Sequence, residues 1–305
     1  MDIKAIDIMN YPTQCVPGIF DYNEWEEFQQ MASTTFKTMF PTGRFPTTPE
    51  ERETYKNLYG TQFNPYNSAE EMIQEMDRLG YDIICLSACK MWSYRRHFKL
   101  IFDFTIDQVN DVVQKSNGRV IGAAGYNPFR IEESLRDIEK GVREYGFKFT
   151  YYHPITFGLA VNDKRCYPLY AKCNELGVPV SMQVGHSAEP LPSWLGHPMN
   201  IDEVALDFPN LKINLSHTGW PWIDEWCSMV WKHPNVYGDI SAYMPKSLDA
   251  SLVRFMDGAR GRNKILFGTN GLGLKACKEQ FMALNIKDET KRRVLRENAG
   301  EFLGL

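Results

Sequence analysis

The stretch 120–184 decides the fold, and it reads VIGAAGYNPFRIEESLRDIEKGVREYGFKFTYYHPITFGLAVNDKRCYPLYAKCNELGVPVSMQV. Short runs rich in β-branched and aromatic residues alternate in it with longer amphipathic segments. This pattern predicts strands over Val120–Gly125, Phe147–Tyr152 and Val178–Val184, with helices over Ile131–Tyr145 and Tyr167–Leu176 between them. Strands that alternate with helices are typical of βα units and a parallel sheet.

The same alternation continues on both sides of this stretch. It predicts further strands over Ile3–Met9, Asp82–Ser87, Lys212–Ser216, Val236–Ser241 and Lys264–Thr269, and further helices over Ala69–Leu79, Asp103–Lys115, Met199–Phe208, Trp222–Trp231, Lys246–Gly258 and Leu274–Leu284. Eight strands, each followed by a helix, predict an α/β protein with a (β/α)8 TIM barrel. A doubly wound open sheet is the alternative, but no glycine-rich phosphate loop follows the first strand.

Residues at the predicted helix ends agree with this pattern. Ser68 is a suitable N-cap for the helix Ala69–Leu79, with Glu71 at the third helical position, and Gly80 follows the last turn. Gly146 and Gly177 follow two of the other helices in the same way. These glycines can adopt the left-handed conformation that ends a helix.

The segment between the first strand and its helix is too long for a plain connection. The pattern predicts one domain over residues 1–305, with residues 11–67 as a lid-like insertion above the C-terminal face of the barrel. This insertion is aromatic, with Phe36, Phe40, Phe45, Tyr55, Tyr59, Phe63 and Tyr66. Together with Trp220 and Trp222 these rings could line an apolar pocket for a cyclic ligand, or pack the insertion against the barrel or a second subunit.

Composition and charge exclude several classes of protein. The chain has 305 residues, 43% of them hydrophobic, and 34 basic against 38 acidic side chains give a net charge of -4. We therefore expect a globular protein that binds neither nucleic acid nor a membrane surface. The N-terminal residues lack the zones of a signal peptide, so we expect a cytoplasmic protein with its seven cysteines reduced.

Polar residues that follow the predicted strands are the candidates for chemistry, because active sites of TIM barrels lie at the C-terminal ends of the strands. These residues are Tyr11, Lys90, Asn127, His153, Gln183, His186, His217, Asp239, Ser241 and Asn270. Histidine titrates near neutrality and can move a proton without a metal. The alternative for each histidine is a hydrogen-bonded or solvated side chain with no chemical role.

Several motifs from residue 68 to the C-terminus resemble the amidohydrolase-related family, in the branch that contains aminocarboxymuconate semialdehyde decarboxylase and the resorcylate-type decarboxylases. The motifs are Asn162-Asp163, Tyr167-Pro168-Leu169-Tyr170, ELGVPV at 175–180, Asp207-Phe208-Pro209, SHTGWPW at 216–222, KHPNVY at 232–237, KILFGT at 264–269 and Glu297-Asn298-Ala299. The resemblance implies the TIM barrel, a small-molecule substrate and a homodimer. It also implies His217 as the acid or base, and His153 matches the family as well.

The positions at which the family binds its divalent metal carry other residues here. The family has His-x-His or Glu-x-His at the end of the first strand, and the resemblance places these two ligands at Met9 and Tyr11. It places a further metal-binding histidine at Gln183 and the metal-binding aspartate at Asn270. A thioether, a phenol and two neutral amides lack the charge and the ligand type that Zn²⁺ or Mn²⁺ requires. We therefore expect no metal and no other cofactor at these positions.

These considerations predict a metal-independent lyase or hydrolase, similar to the decarboxylases, that acts on a small aromatic or cyclic compound resembling a carboxylic acid. The predicted catalytic residues are His217, His186 and His153, and the predicted substrate-binding residues are Tyr11, Gln183, Asn270, Trp220, Trp222 and Asp239. Lys90, Arg44, Arg95 and Arg96 are candidates for binding a substrate carboxylate, or are surface charges.

Two alternatives stay open at this point. The chain could be a catalytically inactive binding protein or partner subunit, or a metal-dependent hydrolase that draws an unusual ligand set from His153, His186, His217 and Asp239.

Overall fold

The eight predicted strands form one parallel sheet that curls into a barrel. The computed structural model describes residues 3–59 and 66–305, with the side chains of 55–59 left out. The barrel strands are β1 (Ala5–Asp7), β2 (Tyr81–Ser87), β5 (Val120–Ala124), β6 (Phe149–Tyr152), β7 (Val180–Gln183), β8 (Ile213–Ser216), β9 (Val236–Asp239) and β10 (Ile265–Leu266), adjacent in that order. The barrel closes where Ile8 N–H donates to Phe267 O at 3.0 Å and Asn270 N–H donates to Met9 O at 2.9 Å. The predicted (β/α)8 fold is confirmed.

The helices between the later strands cover the outside of the barrel, whereas the first two helices lie in the insertion after β1. The helices are α1 (Glu26–Ser33), α2 (Pro49–Tyr59), α3 (Ala69–Leu79), α4 (Ile106–Lys115), α5 (Ile131–Arg143), α6 (Tyr167–Leu176), α7 (Ile201–Asp207), α8 (Ile223–Lys232), α9 (Ala250–Asp257), α10 (Leu274–Met282), α11 (Asp288–Arg292) and α12 (Asn298–Leu303). A turn of π-helix, Arg293–Glu297, joins the last two helices. No helix within 3–59 and 66–305 combines the length and the apolar character needed to span a bilayer.

Local sequence explains where several helices begin and end. The Ser68 hydroxyl accepts from Glu71 N–H at 3.1 Å, and Gly80 ends α3 with a φ of 70°, as predicted. The helix predicted from Asp103 begins instead at Ile106, because Asp103 ends a strand. Thr105 and Gln108 form a capping box at the true start.

The sequence analysis missed a short hairpin after β2. Its strands, β3 (Lys90–Trp92) and β4 (Leu100–Asp103), pair antiparallel outside the barrel. Lys90, predicted as a strand-end candidate, therefore lies within β3, where its ammonium group pairs with Asp103 at 2.5 Å. Strands this short carry too little periodicity to be distinguished from a loop.

Successive strand residues face two different hydrophobic layers. Val120 and Ala124 of β5 pack outwards against the helices, whereas Ile121 and Ala123 belong to the barrel interior. The interior layer continues into the insertion, where Tyr22, Trp25, Phe28, Met31, Phe40 and Phe45 are buried against it. The insertion therefore packs against the barrel interior through a shared apolar cluster.

A buried carboxylate ties the insertion to the hairpin. Glu27 of α1 is fully buried, and its Oε1 accepts from Ser93 Oγ at 2.6 Å and from Arg95 N–H at 3.0 Å. Both donors lie in the turn between β3 and β4. The hairpin and α1 are thus held together by hydrogen bonds as well as by apolar contacts.

Candidate active site

A cavity of about 530 Å³ lies at the C-terminal end of the barrel strands. Its wall includes seven of the nine residues predicted from the sequence, namely Tyr11, His153, Gln183, His186, His217, Trp220 and Asn270. These residues lie at the ends of five different strands, so only closure of the barrel brings them together. A second cavity, of about 380 Å³, is lined by Phe147, Lys148 and Lys212 at the N-terminal ends of the strands and contains none of the predicted residues.

The insertion contributes one side of the main cavity. Tyr22, Phe28, Met31, Phe36 and Met39 line it, together with Phe102 of the hairpin. Among the aromatic residues predicted for this wall, Phe36 is present, whereas Phe40, Phe45 and Tyr66 are buried in the hydrophobic layers. The side chains of Tyr55, Tyr59 and Phe63 lie outside the described residues.

A hydrogen-bonded network of side chains supports His217. Its Nδ1 lies 2.6 Å from Ser241 Oγ and 3.3 Å from Ser216 Oγ. Both hydroxyls donate to Asp239, Ser241 to Oδ1 at 2.5 Å and Ser216 to Oδ2 at 2.7 Å. Asp239 also accepts from His217 N–H, Ser241 N–H and Asn214 Nδ2, so its carboxylate has five donors and no exposed surface.

This network fixes which nitrogen of His217 carries the hydrogen. Each serine hydroxyl has one hydrogen and donates it to Asp239, so towards His217 both oxygens can only accept. His217 Nδ1 therefore donates, and in the neutral ring Nε2 keeps its lone pair for the cavity. Burial lowers the pKa of His217 and thereby favours the neutral ring, whereas Asp239 has a smaller, opposing effect on this pKa. His217 is thus arranged as a base.

The backbone at three of the strand ends is strained. His217 follows β8 with a φ of 76°, Ala242 lies beyond β9 with a φ of 65°, and Asn270 lies beyond β10 with a φ of 50°. Non-glycine residues rarely adopt this left-handed conformation, which costs about 1–3 kcal/mol per residue where it is strained. Hydrogen bonds from His217 N–H and Ser241 N–H to Asp239 offset part of that cost.

His153 lies in the wall with an unpartnered polar atom. The residue is 3% exposed, and its Nδ1 has no hydrogen-bond partner among the described residues. Burial, with a smaller effect of His217, lowers the pKa of His153 to about 3, so the ring is neutral at physiological pH. A bound ligand that satisfied Nδ1 would recover part of its desolvation cost.

His186 lies at the rim of the cavity, on the loop after β7. Its Nδ1 lies 3.0 Å from Ser193 Oγ, and its ring packs edge-on against Trp220. The backbone N–H of His186 donates to Trp220 O at 2.7 Å. Gly185 allows this approach, because its φ is 80° and a Cβ there would lie 2.7 Å from the carbonyl carbon of Gly219.

Two phenols and an amide lie together where the resemblance places the metal. The rings of Tyr11 and Tyr151 pack edge-on with centroids 6.2 Å apart, and Tyr151 donates to Gln183 Oε1 at 3.3 Å. Burial raises the pKa of Tyr11 well above its usual range, so the phenol stays protonated. Asn270 lies nearby in the same wall, and its Oδ1 is buried without a partner among the described residues.

The residues at these positions do not fit a divalent metal. Within the part of the chain that the structure describes, no three His, Cys, Asp or Glu side chains come together as ligands. The alternative ligand set of His153, His186, His217 and Asp239 is not among such groups in the described residues, and the Asp239 carboxylate is already engaged by five donors. The donors present are a thioether, phenols and neutral amides.

Two predicted substrate-binding residues, Trp222 and Asp239, lie outside the cavity wall. Trp222 packs instead against Trp194 and His197, with ring centroids 6.0 and 4.9 Å away. Asp239 is fully buried behind His217 and contacts it directly and through Ser241. The prediction that these two side chains contact substrate does not agree with this geometry.

Sequence reasoning missed Glu189, a carboxylic acid in the cavity wall. It lies on the loop after β7 and accepts a short hydrogen bond from the Ser187 hydroxyl. Burial raises its pKa, with a smaller contribution from Glu27. Its position shortly after a strand end was the available signal.

Comparison with known proteins supports the family resemblance. A sequence profile described as amidohydrolase matches residues 91–305, which is most of the chain. The chain belongs to the amidohydrolase family. No functionally curated protein matches this amidohydrolase in sequence.

Solved structures similar to this amidohydrolase share its barrel. An uncharacterized TIM-barrel protein from Bordetella bronchiseptica is 23% identical, with 99% of each chain covered and a TM-score of 0.73. The 2,6-dihydroxybenzoate decarboxylase from Rhizobium is 14% identical, with 99% of each chain covered and a TM-score of 0.66. The 5-carboxyvanillate decarboxylase from Novosphingobium aromaticivorans, complexed with manganese and 4-hydroxy-3-methoxy-5-nitrobenzoic acid, is 17% identical, with 99% of this chain and 96% of that chain covered and a TM-score of 0.65. At these identities the likeness establishes the fold.

Proposed function

We propose that this amidohydrolase is a metal-independent acid–base enzyme, a lyase or hydrolase that acts on a small aromatic or cyclic compound. The observation that carries the proposal is the arrangement of Asp239, Ser241 and His217, which leaves Nε2 of a neutral imidazole for the cavity. The wall around it is largely apolar and aromatic, with a few polar groups, as is usual for small-molecule sites.

In a hydrolytic reaction, His217 Nε2 takes a proton from water as the water oxygen bonds to an ester or lactone carbonyl carbon. The bond from that carbon to the leaving oxygen then breaks, and the imidazolium returns the proton to the leaving oxygen. Asp239 stabilises the imidazolium through Ser241 and Ser216. In this reaction Asn270, which lines the cavity, hydrogen-bonds the substrate in place of a metal.

Decarboxylation of an electron-rich aromatic acid is the second candidate chemistry, and decarboxylases among the similar structures favour it. In this case a protonated His217 delivers a proton to the ring carbon as the bond from that carbon to the carboxylate breaks and CO₂ leaves. The same side chain therefore serves both reactions.

The proposal is tested by His217→Asn on protein treated with a chelator. We expect turnover to fall by at least about 100-fold while the fold is retained, since a positioned acid or base contributes about 10²–10⁴-fold. A panel of aryl esters and lactones reports hydrolysis by acid release, and a panel of dihydroxybenzoates reports CO₂ release.

His97→Asn is the matched control, because His97 is exposed and lies outside the cavity wall. Equal turnover in His217→Asn and wild type would refute the role of His217. Binding of these compounds without any turnover would instead support the alternative of an inactive binding protein.

The homodimer and the cytoplasmic location stay predictions from the sequence. So does the assignment of residues 11–67 as a lid-like insertion in a single domain.

A further inference from the structure

The described part of the cavity wall carries an acidic side chain and no permanently cationic one. Among the described residues that line the cavity, Glu189 is the acidic side chain, and these residues include no lysine and no arginine. Among the residues whose side chains the structure does not describe, the basic one is Lys56. A substrate carboxylate in this cavity would thus find an acidic group and no described cation.

A second acid lies on α1, next to the cavity-lining Phe28. Glu27 is fully buried, and its Oε2 has no hydrogen-bond partner among the described residues. Its charge contributes to the raised pKa of Glu189. An acidic group in the wall makes the entry of a substrate carboxylate unfavourable.

The four cationic side chains that the sequence predicted as candidates to bind a substrate carboxylate contact other groups of the protein. Lys90 pairs with Asp103, and Arg44 pairs with Glu51, both at 2.5 Å. Arg95 donates to Gln30 Oε1 at 2.5 Å, whereas Arg96 donates to Glu24 O at 2.7 Å and lies over the ring of Trp25. None of the four lines the cavity.

The remaining wall suits an uncharged ring. The apolar side chains Phe28, Phe36, Phe102, Met31, Met39, Met91, Met244 and Leu272 surround a few uncharged polar groups, including Asn270 and Gln183. The buried Oδ1 of Asn270 and Nδ1 of His153 lack partners among the described residues, and the N–H or O–H of a neutral ligand could donate to Asn270 Oδ1.

We propose that the cavity binds uncharged aromatic or cyclic compounds and discriminates against carboxylates, with Glu189 as the residue that sets this preference. The proposal rests on the proposed function and deepens it. Of the two candidate chemistries it selects hydrolysis of a neutral ester or lactone, because the substrate of a decarboxylase is a carboxylate.

The test compares isosteric pairs that differ in charge, namely benzamide with benzoate, salicylamide with salicylate, and cinnamamide with cinnamate. Dissociation constants are measured by calorimetry at neutral pH for wild type, Glu189→Gln and the control Glu132→Gln, whose side chain is exposed on α5. We expect at least one amide to bind at least about tenfold more tightly than its acid. Like charges brought into contact weaken binding by more than this factor.

Glu189→Gln is expected to strengthen binding of the acid and so to lower the ratio of the dissociation constants of acid and amide. Glu132→Gln is expected to leave this ratio unchanged. Lys56→Met in the wild-type background is expected to leave the ratio unchanged as well. Acids that bind as tightly as their amides, or a series in which no amide binds, would overturn the proposal. A ratio unaffected by Glu189→Gln would overturn the assignment to that residue.

The same titrations on His217→Asn separate this proposal from the proposed function. Charge preference should persist in that variant, because Glu189 and the apolar wall are unchanged. Loss or persistence of turnover in His217→Asn bears on catalysis alone.

Discussion

At the scale of single residues, His217 depends on groups that do not contact the cavity. Asp239 and Ser241 determine its tautomer through hydrogen bonds of 2.5 and 2.6 Å. The sequence identified His217 and Asp239 as strand-end residues, but it placed Asp239 among the substrate contacts. Only the packing of β8 beside β9 shows that the carboxylate lies behind the histidine.

Ser241→Ala removes the stronger acceptor of the His217 Nδ1 hydrogen. We expect the ring to become a mixture of tautomers, seen by ¹⁵N NMR of labelled histidine, and the free energy of unfolding to fall by about 1–2 kcal/mol. Ser193→Ala is the matched control, since it removes the corresponding bond of His186 and leaves His217 unchanged. A single Nδ1–H tautomer in Ser241→Ala would contradict the assigned role of Ser241.

Asp7 gives a pH dependence of stability. Burial raises its pKa from 3.8 to about 6, despite hydrogen bonds from Thr269 and Met9. Between these values the folded state holds a proton that the unfolded state has lost, so this contribution to stability decreases as pH rises from about 4 to 6. At about 1.4 kcal/mol per pH unit, the decrease is at most about 3 kcal/mol.

Asp7→Asn should abolish this component, so that the variant gains stability relative to wild type as pH rises through that range. Urea unfolding across the range measures the difference, and Asp111→Asn on the exposed face of α4 is the control. Parallel pH profiles for wild type and Asp7→Asn would show that the prediction is wrong.

At the scale of elements, the loops after β7 and β8 position the rim of the cavity. Gly185 has a φ of 80°, and a Cβ there would lie 2.7 Å from the carbonyl carbon of Gly219 and 2.9 Å from Trp220 O. Gly185→Ala should therefore destabilise the protein by about 2–3 kcal/mol and displace His186 from Trp220. Chemical denaturation measures the first effect and tryptophan fluorescence the second.

Gly300→Ala is the matched control for that substitution. Gly300 lies in α12 with nothing within 4 Å of its would-be Cβ. Alanine is favoured over glycine in a helix, so stability should rise by about 0.5–1 kcal/mol. Equal effects at the two glycines would contradict the structural explanation.

Local sequence predicted elements whose causes are local. The Ser68 cap and the Gly80 and Gly177 helix ends follow from neighbouring residues, and α3 and α6 have the predicted bounds. The hairpin of β3 and β4 was missed because its stability comes from contacts with α1 and the insertion, which are distant in sequence.

At the scale of the whole molecule, the C-terminal end of the barrel carries polar side chains that do not suit a divalent metal. We predict well below one equivalent of zinc or manganese per chain by elemental mass spectrometry, on protein purified without chelator or nickel affinity. The four residues at the positions given by the resemblance are Met9, Tyr11, Gln183 and Asn270, and none supplies an imidazole or a carboxylate.

The combined variant Met9→His, Tyr11→His, Gln183→His and Asn270→Asp is the control for that measurement, and its metal content should rise. Near-stoichiometric metal in the wild type would contradict the prediction and with it the metal-independent part of the proposed function.

The sequence by itself determined the order of strands and helices, and with it the barrel, because hydrophobic periodicity and helix-end residues act locally. It also determined which residues follow the strands, since parallel strands of a barrel present their C-terminal ends at one face. The tertiary structure alone decided which of those residues share a cavity, which nitrogen of His217 is available there, and that Glu189 lies in the wall, with no lysine or arginine among the described residues that line it. These properties depend on contacts between residues far apart in the chain, which no local pattern records.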